Sequence, residues 1–138
     1  MKVLITGVCG FTGSTIARAL HDLDSTIELF DIDNFIRPGS ERNRTPLQSA
    51  SVALCHGDVR HASDVESLPG VDWIIDAAAN PSVLSGVDGK SSSRQVGEHN
   101  LFGRQICWSI VKEPARASSF SALAVFIRSL HWRTCRSR

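Results

Sequence analysis

With 138 residues, the chain has room for one domain built on one core. Its 42% hydrophobic and 21% charged content is ordinary for a globular protein, and a net charge of +1 excludes bulk attraction to nucleic acid or to an anionic membrane. No apolar run approaches the roughly 18 residues of a membrane-spanning helix, and the apolar part of the N-terminus is too short for a secretion signal, so a cytoplasmic location is expected.

The first element, Lys2 to Ile5, is a short apolar run ending at Thr6-Gly7, as a buried strand would. Ser14 to Leu20 carries Ile16, Ala17, Ala19 and Leu20 at near-helical spacing, which predicts a helix. Thr26 to Ile32 is apolar and β-branched again and predicts a second strand, closing on Asp31-Ile32-Asp33-Asn34. Phe35 to Ser49 is polar, with Pro38-Gly39 and Pro46, and predicts a loop with room for one helical turn. A third strand is expected over Ser51 to Leu54, ending at Cys55-His56-Gly57-Asp58. Ala62 to Leu68 predicts a helix, with Asp64 and Glu66 near its start, where the macrodipole favours acids. Val71 to Ala78 predicts a fourth strand, Asn80 to Ser93 a loop, and Arg94 to Phe102 the start of a further helix.

Strands alternating with helices predict an α/β fold, a doubly wound parallel sheet covered on both faces and joined by right-handed crossovers. There is no internal repeat and no low-complexity tract. The four cysteines, Cys9, Cys55, Cys107 and Cys135, form no CxxC pair, so free thiols are expected rather than a zinc site or disulfides.

The most specific local signal is Gly7-Val8-Cys9-Gly10-Phe11-Thr12-Gly13, between a predicted strand and a predicted helix. One glycine permits a tight turn, one lets backbone approach a pyrophosphate, and one lets helix and strand pack closely. The helix N-terminus then presents unpaired amides and partial positive charge to the phosphates. Gly7, Gly10, Phe11 and Gly13 are the candidate pyrophosphate contacts. The spacing is GxxGxxG rather than GxGxxG, so the loop needs support from elsewhere in the chain.

Three features supply it. Asp33 lies twenty residues beyond Gly13, at the end of the second strand, with Asp31 two residues before it. A carboxylate there can accept hydrogen bonds from the adenosine ribose and repel a 2′-phosphate, which favours NAD over NADP, although Arg37 nearby could receive that phosphate. Asn34 would share the ribose. Asp58, in Gly57-Asp58-Val59, can take the adenine amino group together with Val59, or cap the next helix. Ala77, Ala78 and Ala79 carry small side chains that would let a dinucleotide lie across the strand ends, or simply pack tightly.

Together Thr6-Gly7-x-x-Gly10-Phe11-x-Gly13, Asp33-Asn34, Gly57-Asp58-Val59-Arg60 and Ala77-Ala78-Ala79 resemble the extended short-chain dehydrogenase/reductase superfamily. Within it, the stretches from Asp33 to Ser40 and from Ala78 to Val83 resemble the CDP-paratose 2-epimerase (tyvelose epimerase) group of NAD-dependent epimerases and dehydratases. His99-Asn100-Leu101-Phe102-Gly103 resembles the family's N-V-x-G-T segment. The resemblance runs from Met1 to about Gly103. It implies a Rossmann-type fold, NAD as cofactor, a nucleotide-sugar substrate, hydride transfer to and from the nicotinamide, and room for a homo-oligomer in the whole protein. The family's base is the Tyr of a Tyr-x-x-x-Lys motif, in chains of roughly 300 residues. This chain has no tyrosine, so no catalytic residue is carried over and the chain alone is expected to be inactive. A non-catalytic NAD-binding module or redox sensor is the alternative.

The charge is unevenly divided. Residues 1–103 hold 8 Lys/Arg and 13 Asp/Glu, a net −5, whereas residues 104–138 hold 7 Lys/Arg and 1 Glu, a net +6. The division predicts a boundary at Gly103, with residues 1–103 as a dinucleotide-binding domain, incomplete on its C-terminal side, and 104–138 as a basic tail outside the family. If the last base of each codon is read with the first two of the next, starting from the last base of Gly103, the segment from Arg104 to Val111 and on into Lys112 permits Thr-Ala-Asn-Leu-Leu-Glu-Tyr-Cys-Lys, and the Cys107-Trp108 junction forces the second leucine. Phe120 to Ile127 permits Leu-Ser-Thr-Ser-Arg-Val-Tyr in the same frame. Both are family-like, so the tail is expected to be an out-of-frame reading. Its arginines are dispersed among apolar residues with no recognition motif, which argues against nucleic-acid binding.

Overall fold

Strand β1 (Lys2–Thr6) alternates Val3 and Ile5 on one face with Leu4 on the other, and all three are buried. A strand buried on both faces belongs in the middle of a covered sheet. That is its position in this structure, a computed structural model that describes residues 1–79, 92, 94, 97–110 and 126–128. β1 lies between β2 (Glu28–Ile32) and β3 (Trp73–Asp76), parallel to both. The register sets Leu4 beside Phe30 and Ile74, and Thr6 beside Ile32 and Asp76.

Helices cover both faces. Helix α1 (Phe11–Leu23) and the short α2 (Arg44–Ser49) lie over one face, where Ala17 and Leu47 pack with Val3, Ile5, Leu29 and Ile75. Helix α3 (Ala62–Glu66) and α4 (Gly103–Cys107) lie over the other, where Val65 and Cys107 pack with Leu4, Ile32 and Ile74. This is the doubly wound α/β arrangement expected of the chain. No helix of the described residues is long and apolar enough to cross a membrane.

Several elements differ in extent from the sequence expectation. Helix α1 begins at Phe11, not Ser14, because the glycine-rich loop runs straight into it with Gly10 as its extended N-cap. The third strand is reduced to two parallel bridges beside β2, Phe30 with Ala53 and Asp33 with His56. Ser51 sits at φ 56° directly before it, so the chain enters in a turn and not extended. Residues expected to loop form a 3-10 turn (Ser40–Asn43) and then α2, which accepts Pro46 because it lies in the first helical turn. β3 is four residues long within the expected Val71 to Ala78. A fourth sheet strand, β4 (Phe126–Arg128), pairs antiparallel with β3, so the sheet order is β2-β1-β3-β4 and only its first three strands are parallel.

The expected loop from Asn80 to Ser93 lies outside the described residues apart from Ser92, and so does most of the tail. The helical segment after it runs from Gly97 through a π-turn (Glu98–Phe102), α4 and a 3-10 turn (Trp108–Ile110). It continues without a break through Gly103, where the charge division predicts a boundary. Ile106 and Ile110, four residues apart, both reach the apolar cluster, and the Val71 amide donates to the Ile110 carbonyl at 3.1 Å.

Candidate functional site

The glycine-rich loop leaves the C-terminal end of β1 and turns at Gly7, whose φ of 64° lies in the left-handed region that favours glycine. An ideal Cβ there would also lie 2.9 Å from Ala78 Cα and 3.1 Å from the Ala77 carbonyl. The Gly7 amide donates to Ile32 O at 2.9 Å and the Gly10 amide to Gly7 O at 3.0 Å, which folds the loop back on itself. Gly13 is the tightest position: a Cβ would lie 2.5 Å from Gly7 O and 2.7 Å from Val8 Cα. That contact draws the first turn of α1 onto the loop. The amides of Phe11, Thr12 and Gly13 then have no carbonyl one turn back in the helix, as at any helix start. The Phe11 side chain is 87% exposed beside them.

Two carboxylates, one on β2 and one just past its end, hold the underside of this loop. Asp31 Oδ1 accepts the Val8 amide at 3.1 Å, and Asp33 Oδ2 accepts the Cys9 amide at 3.0 Å. Asp33 Oδ1 also accepts the Phe35 amide at 2.8 Å, which pins the chain where Phe35 takes φ 52°. Each oxygen of Asp33 retains a lone pair for a further donor. From α2's approach, the Asn43 side chain donates to Cys9 O at 2.8 Å. Burial pushes the Asp31 carboxyl up to about 8, and the neighbouring Asp33 charge adds to the effect, against the pull of the Val8 hydrogen bond. Burial, and then the charges of Asp31 and Asp33, push the Cys9 thiol up to about 12.

The ligand-type atoms of Cys9, Asp31 and Asp33 lie within 4.8 Å of one another. A protonated thiol and two carboxylates already turned to backbone amides make a poor metal ligand set. Cys9, Cys55 and Cys107 are free thiols.

Asn34 and Asp58 meet beside Asp33: the Asn34 amide group donates to Asp58 Oδ2 at 3.1 Å. Arg60 grips the same carboxylate with two nitrogens, at 2.9 and 2.6 Å, and these bonds hold Asp58 well below the usual carboxylate range. The Asp58 carboxylate is therefore tied to side chains of its own loop, and its amide donates to Asp64 Oδ2 at 2.9 Å. The Val59 side chain turns into the apolar cluster and packs on Gly103, where an added Cβ would come within 2.9 Å of it.

The end of β3 is fixed by Thr6. Its hydroxyl donates to Asp76 Oδ1 at 2.5 Å and accepts the amides of Ala77 and Ala78 at 3.1 and 3.2 Å. Arg104 donates to the other oxygen of Asp76 at 2.8 Å. Ala77 and Ala78 are thereby pressed against Gly7, and Ala79 follows them.

Gly7, Gly10, Gly13, Asp33, Asn34, Asp58, Ala77 and Ala78 thus gather at the C-terminal ends of three adjacent strands. Thr6, Asn43, Arg60, Asp76 and Arg104 hold that arrangement, and sequence reasoning did not single out their roles. Thr6 and Asp76 carried a signal, since each is a polar residue closing an apolar run, and Arg60 stood in the Gly57-Asp58-Val59-Arg60 motif; Asn43 and Arg104 carried none.

A doubly wound sheet with a glycine-rich turn between its central strand and a helix, and an acid ending the next strand, defines a dinucleotide-binding α/β domain. Residues 3–104 match the model of the NAD dependent epimerase/dehydratase family, and the chain belongs to that family. The chain is 42% identical over 69 residues to the CDP-paratose 2-epimerase of Salmonella typhi, a match covering 49% of this chain and 20% of that protein. Among solved structures it is similar to the UDP-glucuronic acid 4-epimerase Y149F mutant from Bacillus cereus, in complex with UDP-4-deoxy-4-fluoro-glucuronic acid and NAD. The TM-score there is 0.67 at 23% identity, over 89% of this chain and 45% of that one. It is also similar to the UDP-Glc/GlcNAc 4-epimerase of Campylobacter jejuni, with a TM-score of 0.67 at 19% identity, over 79% and 34%. The chain spans less than half the length of these relatives.

Proposed function

We propose that this chain binds NAD at the C-terminal ends of β1, β2 and β3, as the dinucleotide-binding part of an enzyme acting on nucleotide-activated sugars. The observation that carries the reading is the loop itself. A Cβ at Gly7 or Gly13 would collide with backbone, and the Asp31 and Asp33 carboxylates and Asn43 hold the loop against the start of α1, whose first amides have no helical partner. Phe11, Thr12 and Gly13 would give their amides to the pyrophosphate. Asp33 would use its remaining lone pairs on the ribose hydroxyls, with Asn34 beside it. Asp58 and Val59 would border the adenine, and here the supporting geometry argues for backbone contact, because the Asp58 carboxylate is engaged by Arg60 and the Val59 side chain faces the core. Ala77, Ala78 and Ala79 would form the flank along which the dinucleotide lies.

When bound, NAD supplies a hydride acceptor and donor for a sugar carbon. In the whole protein the reading is a nucleotide-sugar epimerase or dehydratase, and the Salmonella typhi relative favours CDP-paratose 2-epimerase-like chemistry. Residues 104–138 are read as an out-of-frame continuation. Sequencing the coding DNA across the Gly103 and Arg104 codons checks this: a shifted frame that stays open through a Tyr-x-x-x-Lys segment is expected, and early closure would make the tail genuine.

The absence of tyrosine from all 138 residues favours a second reading, a non-catalytic NAD-binding module. Calorimetric titration with NAD, NADH and NADP separates the outcomes. Saturable NAD binding with NADP at least about tenfold weaker is expected from a carboxylate at the ribose. Equal binding of NAD and NADP would remove Asp33 from the ribose, and a strong preference between NAD and NADH would favour a redox sensor.

A further inference from the structure

Asp31 is a fully buried acid to which the proposed cofactor contacts give no part. Its Oδ1 holds the Val8 amide, but Oδ2 is buried with no hydrogen-bond partner. A buried polar atom without a partner is uncommon and costly, and a buried carboxylate has no reason to carry charge there. Asp33, two residues on and just past the end of the strand, holds the next amide of the same loop. Two neighbouring acids therefore seat two successive amides of the phosphate-binding turn, and one of them, Asp31, is fully buried with its Oδ2 unpartnered, the Val8 and Ile32 amides being the donors that act on its carboxyl.

We propose that Asp31 is a proton-linked positioning residue for the phosphate-binding loop: its neutral form seats the Val8–Cys9 turn for a dinucleotide, and its ionisation loosens that seat, so that dinucleotide affinity falls as pH rises. The inference rests on the NAD-binding reading of the loop. A neutral Asp31 can carry its proton on Oδ2, the oxygen without a partner, and still accept from Val8 at Oδ1. When the proton leaves to water, two carboxylates share one buried site. Their repulsion is relieved by admitting water or by moving the loop. A pyrophosphate on the outer side of the same turn adds further negative charge. Binding and ionisation therefore oppose one another, and by linkage the dinucleotide must tighten the proton's hold as much as the proton tightens the dinucleotide's.

The groups facing Asp31 are few. Asp33 faces it from just past the end of β2, Cys9 from the loop, and Cys55 from the segment paired with β2. β1 offers Ile5 at the paired position. Arg44 reaches Cys9 from α2, and Asp64 acts on Cys55 from α3. With its carboxyl pushed up to about 8 by burial and the Cys9 thiol to about 12, Asp31 gives up its proton before Cys9 as the pH rises.

Calorimetric titration of the full chain with NAD from about pH 6.5 to about pH 9.5, for wild type and Asp31→Asn, tests the proposal. One proton limits the change to about tenfold per pH unit. A loss of at least about fivefold across the range is expected in wild type and less than about twofold in Asp31→Asn. A flat wild-type profile, or parallel profiles in the two proteins, overturns it. If NAD binds at no pH, the cofactor reading fails, and the melting temperature of the unliganded chain decides the loop device alone. That temperature is expected to fall between about pH 6.5 and about pH 8 in wild type and to stay nearly level over that interval in Asp31→Asn, below the region where the buried thiols act in both proteins; parallel curves there overturn it. Should Asp31→Asn fail to fold, the carboxyl carbon of Asp31 in the wild-type chain, followed by NMR, must titrate above neutrality, and titration in the ordinary carboxylate range overturns the proposal.

Discussion

Replacing Gly13 by alanine opposes two forces whose magnitudes differ enough to give a sign. Gly13 is the third residue of α1, where alanine favours the helix over glycine by up to about 1 kcal/mol. Against this, the new methyl would lie 2.5 Å from Gly7 O, 2.7 Å from Val8 Cα and 3.1 Å from Gly7 C. All three atoms are backbone of a loop that Asp31, Asp33 and Asn43 hold in place, so none yields as a side-chain tip would. Overpacking of this kind costs about 1–3 kcal/mol, and a rigid backbone partner puts it at the upper end. The net expectation is a loss of about 2 kcal/mol, or roughly 8 °C in melting temperature for a domain of this size. Gly97 is the matched control. It sits at helical φ −61° and ψ −43°, and a Cβ there meets nothing within 4 Å. Gly97→Ala should therefore leave stability unchanged or raise it by up to about 1 kcal/mol. Urea denaturation of the two variants and the wild type, with NAD titration of each, reads both effects. The reasoning is refuted if Gly13→Ala is as stable as wild type and binds NAD equally well.

Other variants probe the supports of the site one at a time. Thr6→Val keeps the shape and removes the hydroxyl that serves Asp76, Ala77 and Ala78, so urea denaturation should show a loss of about 2 kcal/mol, with Thr6→Ser restoring most of it. Asp33→Ala removes the acceptor of the Cys9 and Phe35 amides along with the proposed ribose contact, and NAD should bind at least about tenfold more weakly, as read by calorimetry. Arg104→Gln takes the guanidinium from a largely buried Asp76 and should cost about 2 kcal/mol of unfolding free energy; an unchanged denaturation midpoint would show that α4 does not pack as described.

The architecture was legible where local pattern and burial agree. β1 reads as a strand because Val3, Leu4 and Ile5 are all apolar, and a central strand has no polar face. The glycine spacing gave the loop because backbone collisions at Gly7 and Gly13 leave no other residue type. The third strand was less legible: Ser51 to Leu54 has the right residues, but a turn at Ser51 leaves two bridges in place of a ladder. The helix from Arg44 was hidden because Pro46 reads as a breaker unless the helix start is already known. Long-range partners could not be read at all. Nothing local pairs Arg104 with Asp76, or turns Asp58 toward Arg60 and Asn34 rather than outward. Asp31 stood out only as a neighbour of Asp33, and its importance comes from burial, which the sequence does not state.

The central claim is that the turn from Val8 to Gly13, with Asp33 at the end of β2, is where this chain holds NAD. Amide NMR spectra of the uniformly labelled chain, recorded as NAD is added, test it residue by residue. Saturable shifts concentrated at Val8, Cys9, Phe11 to Ser14, Asp33, Asn34 and Asp58, and lost in Gly13→Ala, are the predicted result. Spectra that do not change with NAD, or shifts that spare this turn and gather elsewhere, would contradict the account.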